Sequence, residues 1–362
     1  MTHHERIARF AQLSTALALH SNQQLTQLVD EAEQLASGIG GTTLTFTLAG
    51  HQVFAKRLRL TDLELHPAHQ MSTANLFGLP TYCQRNVGSA GFGAWRELAA
   101  NVMTTSWVLA EQLESFPLMY HWRVLDGPSS PGAAPRPVEC TDVEHMTSYW
   151  GGADAMRARL VALADAKFSL MIFLEHVPWT LNAWLERQLD APPGPMASAL
   201  EMVERGLTID IPMMNSLGLL HGDAHFGNIL TDGQRLYFAD LGLATSARFA
   251  LSLDERSYLH HNASLDRGYA LAKWVNGLVK AFAPAVDDVP GRFELVRAAA
   301  QGQAMHELVP GMPTSVAEIV HRHAPVATRI NDFYVKLHSE DRRAPYPRDA
   351  IEALLSGTAS AS

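Results

Sequence analysis

Cysteine is scarce in this chain. Cys83 and Cys140 are the only two among 362 residues. That is too few for a disulfide framework, and their spacing does not suit a thiolate metal site, so a reducing, cytoplasmic setting is expected. Long apolar runs are also missing. No stretch of 18 apolar residues occurs, and the first residues are not followed by the apolar block of a secretory signal. A surplus of basic charge is lacking as well. Lys and Arg number 28 against 37 Asp and Glu, a net charge of −9, whereas a general nucleic-acid binder is more often basic. Neither nucleic acid nor a membrane is therefore expected as a partner. An acidic balance is ordinary for a soluble protein and would also suit a cationic partner. No internal repeat is visible. What is present, 47% hydrophobic and 18% charged residues, supports a sizeable core in one two-lobed protein or two small domains.

The most informative stretch is His221-Gly-Asp-Ala-His-Phe-Gly-Asn228, with Asp240-Leu-Gly242 starting twelve residues after Asn228. Between them, Ile229 and Leu230, a Thr-Asp-Gly-Gln connection and an apolar run from Leu236 predict a short β-hairpin. Such a hairpin brings Asn228 and Asp240 side by side. Two carboxylates and one amide on adjacent turns suit a magnesium-nucleotide phosphotransferase. Asp223 would orient an acceptor hydroxyl and take its proton late, since an ordinary carboxylate cannot fully ionise an alcohol. Asn228 and Asp240 would supply hard oxygen ligands to Mg²⁺, with phosphate and water completing the shell. Either piece alone reads equally well as a surface turn. Their order, with an apolar hairpin between them, favours the chemical reading.

This segment resembles the catalytic and metal loops of the protein-kinase-like superfamily. The His-Gly-Asp-x-His-x-x-Asn form is closer to aminoglycoside and choline phosphotransferases, whereas Asp240-Leu-Gly-Leu-Ala244 resembles the metal loop of Ser/Thr protein kinases. The resemblance is specific over residues 170–245 and looser elsewhere. It implies a two-lobed α/β (α+β) fold with a small β-rich N-lobe and a larger helical C-lobe, and ATP and Mg²⁺ as cofactors. The implied divisions are an N-terminal helical extension over 1–36, an N-lobe with insertions over 37–176 and a C-lobe over 177–362. Asp223 would be the catalytic group, with His221 packing against the metal loop and His225 shaping the catalytic loop. Asp266 resembles the large-lobe Asp that accepts catalytic-loop amides, and it also reads as a simple helix cap.

Upstream, apolar spacing predicts helices over 5–36, broken by Ser37-Gly-Ile-Gly-Gly41. A full Gly-x-Gly-x-x-Gly is missing, so Gly38, Gly40 and Gly41 are the glycines available near phosphate. Residues 42–48 alternate as a strand, Ala49-Gly50 turns, and 51–58 returns as a second strand carrying Lys56. The resemblance makes Lys56 the phosphate-contacting lysine and leaves Phe54 where related kinases keep a small residue under the adenine. Glu97, on a helix from Trp95 to about Leu113, is the candidate partner of Lys56 at a separation of 97 − 56 = 41 residues. Glu64 and Glu111 compete with it. A buried strand over 168–174 leads into Leu174-Glu-His-Val-Pro178, which resembles a hinge whose Glu175 and Val177 backbone groups would meet the adenine edge. Residues 60–92 and 126–167 read as insertions, with a Pro-rich loop over 127–137. Beyond the hinge, long helices are expected over 196–217 and 265–282, with a shorter one over 254–259.

The segment from Asp240 to Asp266 should decide the acceptor. It contains no Ala-Pro-Glu, the platform that protein kinases use for a protein substrate. Thr245, Ser246, Ser252 and Ser257 are available hydroxyls, but hydroxyls are common in any loop. A small-molecule or modified-peptide acceptor is favoured. A Ser/Thr protein kinase acting on a protein substrate, a nucleotide-binding pseudokinase scaffold and transfer of AMP in place of phosphate stand as alternatives.

Overall fold

The computed structural model describes residues 2–38, 40–85, 88–127 and 142–359. They form a mixed α/β architecture with a small antiparallel sheet and a helical region. Two compact units can be distinguished. The first runs to Val177 and includes Asp240–Arg256; the second comprises Pro178–Ala239 and the residues from Ser257 onward. The return of 240–256 to the first unit is not visible in a linear division.

In the first unit, Thr2 and Glu5 form a capping box at the start of α1 (His3–Leu19), and Ser21 and Gln24 do the same for α2 (Asn22–Asp30). The helical expectation over 5–36 fails at its end. Residues Glu33–Gly38 are a strand, β1, paired antiparallel with β2 (Gly41–Leu48), and Gly38 stands opposite Gly41. Cross-strand pairing overrides the helical spacing of Leu35, so the glycine run closes a hairpin instead of ending a helix. Gly41 has φ +116°, and a Cβ there would lie 2.5 Å from the Arg57 carbonyl oxygen. Gly41→Ala is therefore expected to cost about 1–3 kcal/mol. An unchanged urea midpoint would contradict this turn geometry.

Ala49 and Gly50 both have positive φ, as in the tight primed turns that suit hairpin twist. They join β2 to β3 (His51–Leu60). The sheet order is β1-β2-β3-β5-β4, with β4 at Met119–Asp126 and β5 at Phe168–Glu175, antiparallel throughout. Leu58 and Leu60 of β3 pack with Leu170, Ile172 and Leu174 of β5 against Ala94, Trp95 and Leu98 of α3 (Ala94–Leu109). Phe54 shares the Lys56 face and lies partly buried against this cluster, which follows from period-two alternation along the strand. After β4 come α4 (Val143–Tyr149) and α5 (Asp154–Asp165). The expected Pro-rich loop lies, from 128 on, outside the described residues, as does Cys140. Cys83 is buried.

In the second unit, Trp179–Thr180 (β6), Ile229–Thr231 (β7) and Leu236–Phe238 (β8) form a three-stranded antiparallel sheet. β7 and β8 are the hairpin expected after Asn228. The Asp232 carboxylate accepts from the backbone N–H groups of Gln234 and Arg235, and Gly233 takes φ +83°, so the connection is built from standard turn chemistry. After α6 (Leu181–Leu189), the helix expected over 196–217 is interrupted. α7 (Pro193–Arg205) passes through a π-turn at Gly206–Asp210 into α8 (Ile211–Ser216). Pro212 has no N–H for the ladder, which gives a physical reason for the slip in register. Gly206 sits where a Cβ would fall 2.4 Å from Leu236 Cδ1, so its lack of a side chain lets the helix press onto β8. α9 (Leu253–His261) leads to α10 (Leu265–Phe282), α11 (Val289–Ala300), α12 (Thr314–Ser339) and α13 (Arg348–Ala359). Among the described residues, no helix is long and apolar enough to cross a membrane.

Candidate functional site

In the first unit the candidate residues converge on Lys56. β3 holds this lysine between Thr43 of β2 and Ile172 of β5, and only 4% of it is exposed. Its Nζ lies 2.7 Å from Glu97 Oε1 and 2.6 Å from Asp240 Oδ1. α3 supplies Glu97 from its first turn. A Cβ on Gly40 would come 3.9 Å from the same ammonium, so the β1–β2 turn lies beside the lysine. Gly41 is a backbone requirement of that hairpin, and Gly38 is its opposite partner.

The competing glutamates are engaged elsewhere. Glu64 accepts from Thr61 and from the Ala94 backbone N–H, at the positive end of α3. Glu111 lies past the end of α3, largely exposed and near His3.

The charges in this cluster are unbalanced. Burial works against the Lys56 ammonium, but Asp240 and Glu97 together raise its pKa above the ordinary lysine range. Burial, with Asp240 adding to it and Lys56 opposing, pushes the Glu97 carboxyl up to about 7. A cation facing two carboxylates at hydrogen-bond distance stays protonated, so the strain falls on the carboxylates. Asp240 is also held in a left-handed conformation, φ 56°, with its side chain accepting from the Gly242 N–H. A non-glycine residue in that region stores strain that its surroundings must sustain.

Those surroundings come from the 60–92 segment and from α3. Gln84 Nε2 donates to the Leu243 carbonyl at 2.9 Å. Gly91 passes so close to Gly242 that a Cβ would lie 2.9 Å from its carbonyl oxygen. Arg96 Nη2 donates to Glu255 Oε1 at 2.6 Å, both side chains buried, while Arg96 Nε donates to the Thr73 carbonyl. Thr73 Oγ1 in turn accepts from the Ala250 N–H. The insertion thus fastens the segment that follows Asp240. None of these contacts was foreseen; the one hint was a charged residue, Arg96, immediately before Glu97 on an apolar helix.

At the end of β5, the Glu175 N–H donates to the Leu118 carbonyl at 2.8 Å, so this N–H is already engaged within the unit. Val177 lies beyond the strand, and its N–H has no partner among the described residues. The Glu175 side chain is buried and bound by Arg6 of α1, an element expected only as an extension.

In the second unit, the loop over 221–228 hangs from α10. Asp266 in the first turn of α10 accepts from the His221 and Gly222 backbone N–H groups at 2.7 and 2.9 Å, and from Asn215 Nδ2. No side chain caps this helix at Ser264, so Asp266 acts as the loop's anchor and not as a simple cap. His221 is fully buried. Its Nε2 bonds the Ala239 carbonyl and its Nδ1 accepts from the Asp223 N–H. The Nε2–H tautomer satisfies both contacts.

Asn228 Nδ2 donates to the Asp223 carbonyl and to Asp223 Oδ2, both at 3.1 Å. That use of the NH₂ group turns the Asn228 side-chain oxygen away from Asp223, and among the described residues no donor to it is seen. His225 Nδ1 accepts from the Gly227 N–H, and its Nε2 stands 3.8 Å from Asp223 Oδ2. The sequence reading missed Tyr269 and Lys273; burial raises the tyrosine and lowers the lysine, and the Asp223 charge pushes both upward.

No protein-family model matches the chain, and no curated protein sequence matches it either. The chemistry therefore has to be read from the residues. Among the described residues, no group of three or more His, Cys, Asp and Glu is placed to cage a metal ion. A cation that takes most of its ligands from phosphate and water needs no such cage and can be served by a single carboxylate or amide oxygen.

Proposed function

We propose that the chain is an ATP-dependent phosphotransferase that moves the γ-phosphoryl group to a hydroxyl, its two units being the small and large lobes of a protein-kinase-like fold. The observation that carries this reading is the buried Lys56 ammonium held by both Glu97 and Asp240. A structural ion pair needs one carboxylate. Two carboxylates on a buried lysine leave negative charge that a divalent cation would offset, and they fix the ammonium for phosphate oxygens. In this reading Lys56 contacts the nucleotide phosphates, and the Glu175 carbonyl and Val177 amide meet the adenine edge. Asp223, oriented by Asn228, receives the acceptor proton. Mg²⁺ would be held by Asp240 and the Asn228 carbonyl oxygen, and would neutralise phosphate charge. A cytoplasmic setting belongs to the same proposal.

A small molecule or modified peptide is the favoured acceptor, since the ordered stretch after Asp240 lacks Ala-Pro-Glu. The test is incubation with γ-labelled ATP and a cell extract split into small-molecule and protein fractions. Label is expected in the small-molecule fraction. Label only on protein serines or threonines would reverse the choice of acceptor, and no transfer at all would defeat the activity.

Binding can be read separately. Nucleotide with Mg²⁺ at about 100 times its Kd should stabilise the wild type by about 2.7 kcal/mol. Asp240→Ala is expected to abolish that gain in a thermal-shift titration. A retained gain in the variant would remove Asp240 from the metal site.

A further inference from the structure

In the first unit, both insertions lead to the residues that follow Asp240. Gly242 is the point of contact. A Cβ on it would lie 3.1 Å from Glu97 Oε2 and 3.3 Å from Asp240 Oδ1, and a Cβ on Gly91 would lie 2.9 Å from the Gly242 carbonyl oxygen. Gly91 thus packs on the residue that packs on both carboxylates of Lys56. Its chain neighbour is held in turn. Arg159 of α5, from the insertion over 126–167, donates through Nε and Nη2 to the Ala90 carbonyl at 3.3 and 3.1 Å. The same guanidinium lies 5.3 Å from the Phe77 ring centroid. A line of contacts therefore runs from α5 through Ala90 and Gly91 to Gly242. Close-packed groups of this kind transmit displacement, because they leave no slack.

A second line fixes the far end of the segment. Arg96 stands next to Glu97 on α3 and donates to Glu255 and to the Thr73 carbonyl, while Thr73 Oγ1 accepts from the Ala250 N–H. Glu255 divides its two oxygens. Oε1 takes the guanidinium and Oε2 accepts from the Ser252 N–H, while Ser252 Oγ accepts from the Glu255 N–H. These last two are the reciprocal bonds of a capping box, here at the start of α9. A buried guanidinium requires an anionic partner, and the segment supplies one as an encoded carboxylate. Phosphorylation orders a loop by adding such a partner afterwards. The hydroxyls of this stretch agree with the encoded solution. Thr245 and Ser246 are buried, and Ser252 is used in the cap.

We propose that residues 60–92 and α5 form a brace that positions Asp240, with Arg96 and Glu255 as its positioning residues, and that the segment over 241–256 works without being phosphorylated. The insertions are then needed for transfer and are not padding on the small sheet. This rests on the phosphotransferase reading for its link to transfer, but the brace itself does not depend on turnover.

The test uses the full-length protein and reads order and activity separately. Arg96→Met with Glu255→Gln removes the pair without stranding either charge, so the urea midpoint should stay near that of the wild type. Thr73→Val takes away only the acceptor of the Ala250 N–H and keeps the branched shape. In both variants, amide hydrogen exchange over 241–256 is expected to quicken by about tenfold or more, with the β3 and β5 peptides unchanged. Unchanged exchange over 241–256 in both variants would overturn the brace.

Transfer from γ-labelled ATP should fall by about 10²-fold in the double variant, the scale of a misplacement of about 1 Å in an oriented site, and by less in Thr73→Val. A role confined to stability predicts the opposite, a rate that recovers along with the midpoint. Fast exchange with a wild-type rate would therefore remove the positioning role. Should the double variant fail to fold, Thr73→Val carries both readouts. Phosphatase treatment of the wild type should leave its rate unchanged, and a fall in rate would overturn independence from phosphorylation. Fast exchange in the variants, with no transfer by the wild type on any extract fraction, would count against the phosphotransferase reading and the link to transfer, and would leave the brace standing.

Discussion

Asp223→Ala is expected to slow phosphoryl transfer by about 10²–10⁴-fold, the usual scale for losing a general base, and to leave nucleotide binding in place. The loop makes this separation of effects possible. Its backbone is held by Asp266 through the His221 and Gly222 N–H groups, and by His221 bonding the Ala239 carbonyl. None of those contacts uses the Asp223 carboxylate. The variant should therefore keep its fold and lose one hydrogen bond from Asn228. Asp223→Asn is the sharper control, because it keeps the shape and removes the basic oxygen. Single-turnover rates with saturating ATP would decide the matter. A rate within about threefold of wild type in both variants would show that the carboxylate takes no part in the transfer step.

What was legible in the sequence was local. The 229–238 hairpin, the β2–β3 hairpin and α10 were readable because alternation, turn residues and helical spacing are short-range signals that need no partner. β1 was missed for the opposite reason. Glu33–Gly38 has helical apolar spacing upstream of it, and only pairing with β2 makes it a strand. The interruption at Gly206–Asp210 was hidden because the apolar period runs straight through Pro212. Lys56, Glu97 and Asp240 could be named singly from their motifs, yet the lysine shared by two carboxylates is a tertiary fact. Arg96 with Glu255, 159 residues apart, and Arg6 with Glu175, 169 apart, left no periodic trace at all. A buried ion pair shows in sequence only as two unremarkable charges.

The Arg6–Glu175 pair carries the largest expected effect on stability. Arg6 is fully buried and Glu175 is 3% exposed. Arg6 Nε and Nη2 donate to the two carboxylate oxygens at 3.0 and 2.6 Å, forming a two-point fork. Arg6 also donates to the Glu114 and Phe116 carbonyls, and the Leu118 N–H donates to Glu175 Oε2. α1, the loop before β4 and the end of β5 are thereby tied at one point. Removing Arg6 leaves a carboxylate out of water with one remaining donor, so Arg6→Met should cost about 3–5 kcal/mol in urea unfolding. Replacing both partners removes the stranded charge. The double variant Arg6→Met with Glu175→Gln should therefore recover most of that loss, since an apolar or neutral replacement of a buried pair is often near neutral. The pair also fixes the strand that ends at Glu175, whose carbonyl is proposed to meet the adenine edge, so nucleotide affinity should fall in Arg6→Met and return in the double variant. A single variant within about 1 kcal/mol of wild type would show that the fork contributes no net stability. A double variant as unstable as the single would place the cost in lost packing of the arginine stem and not in the unpaired charge.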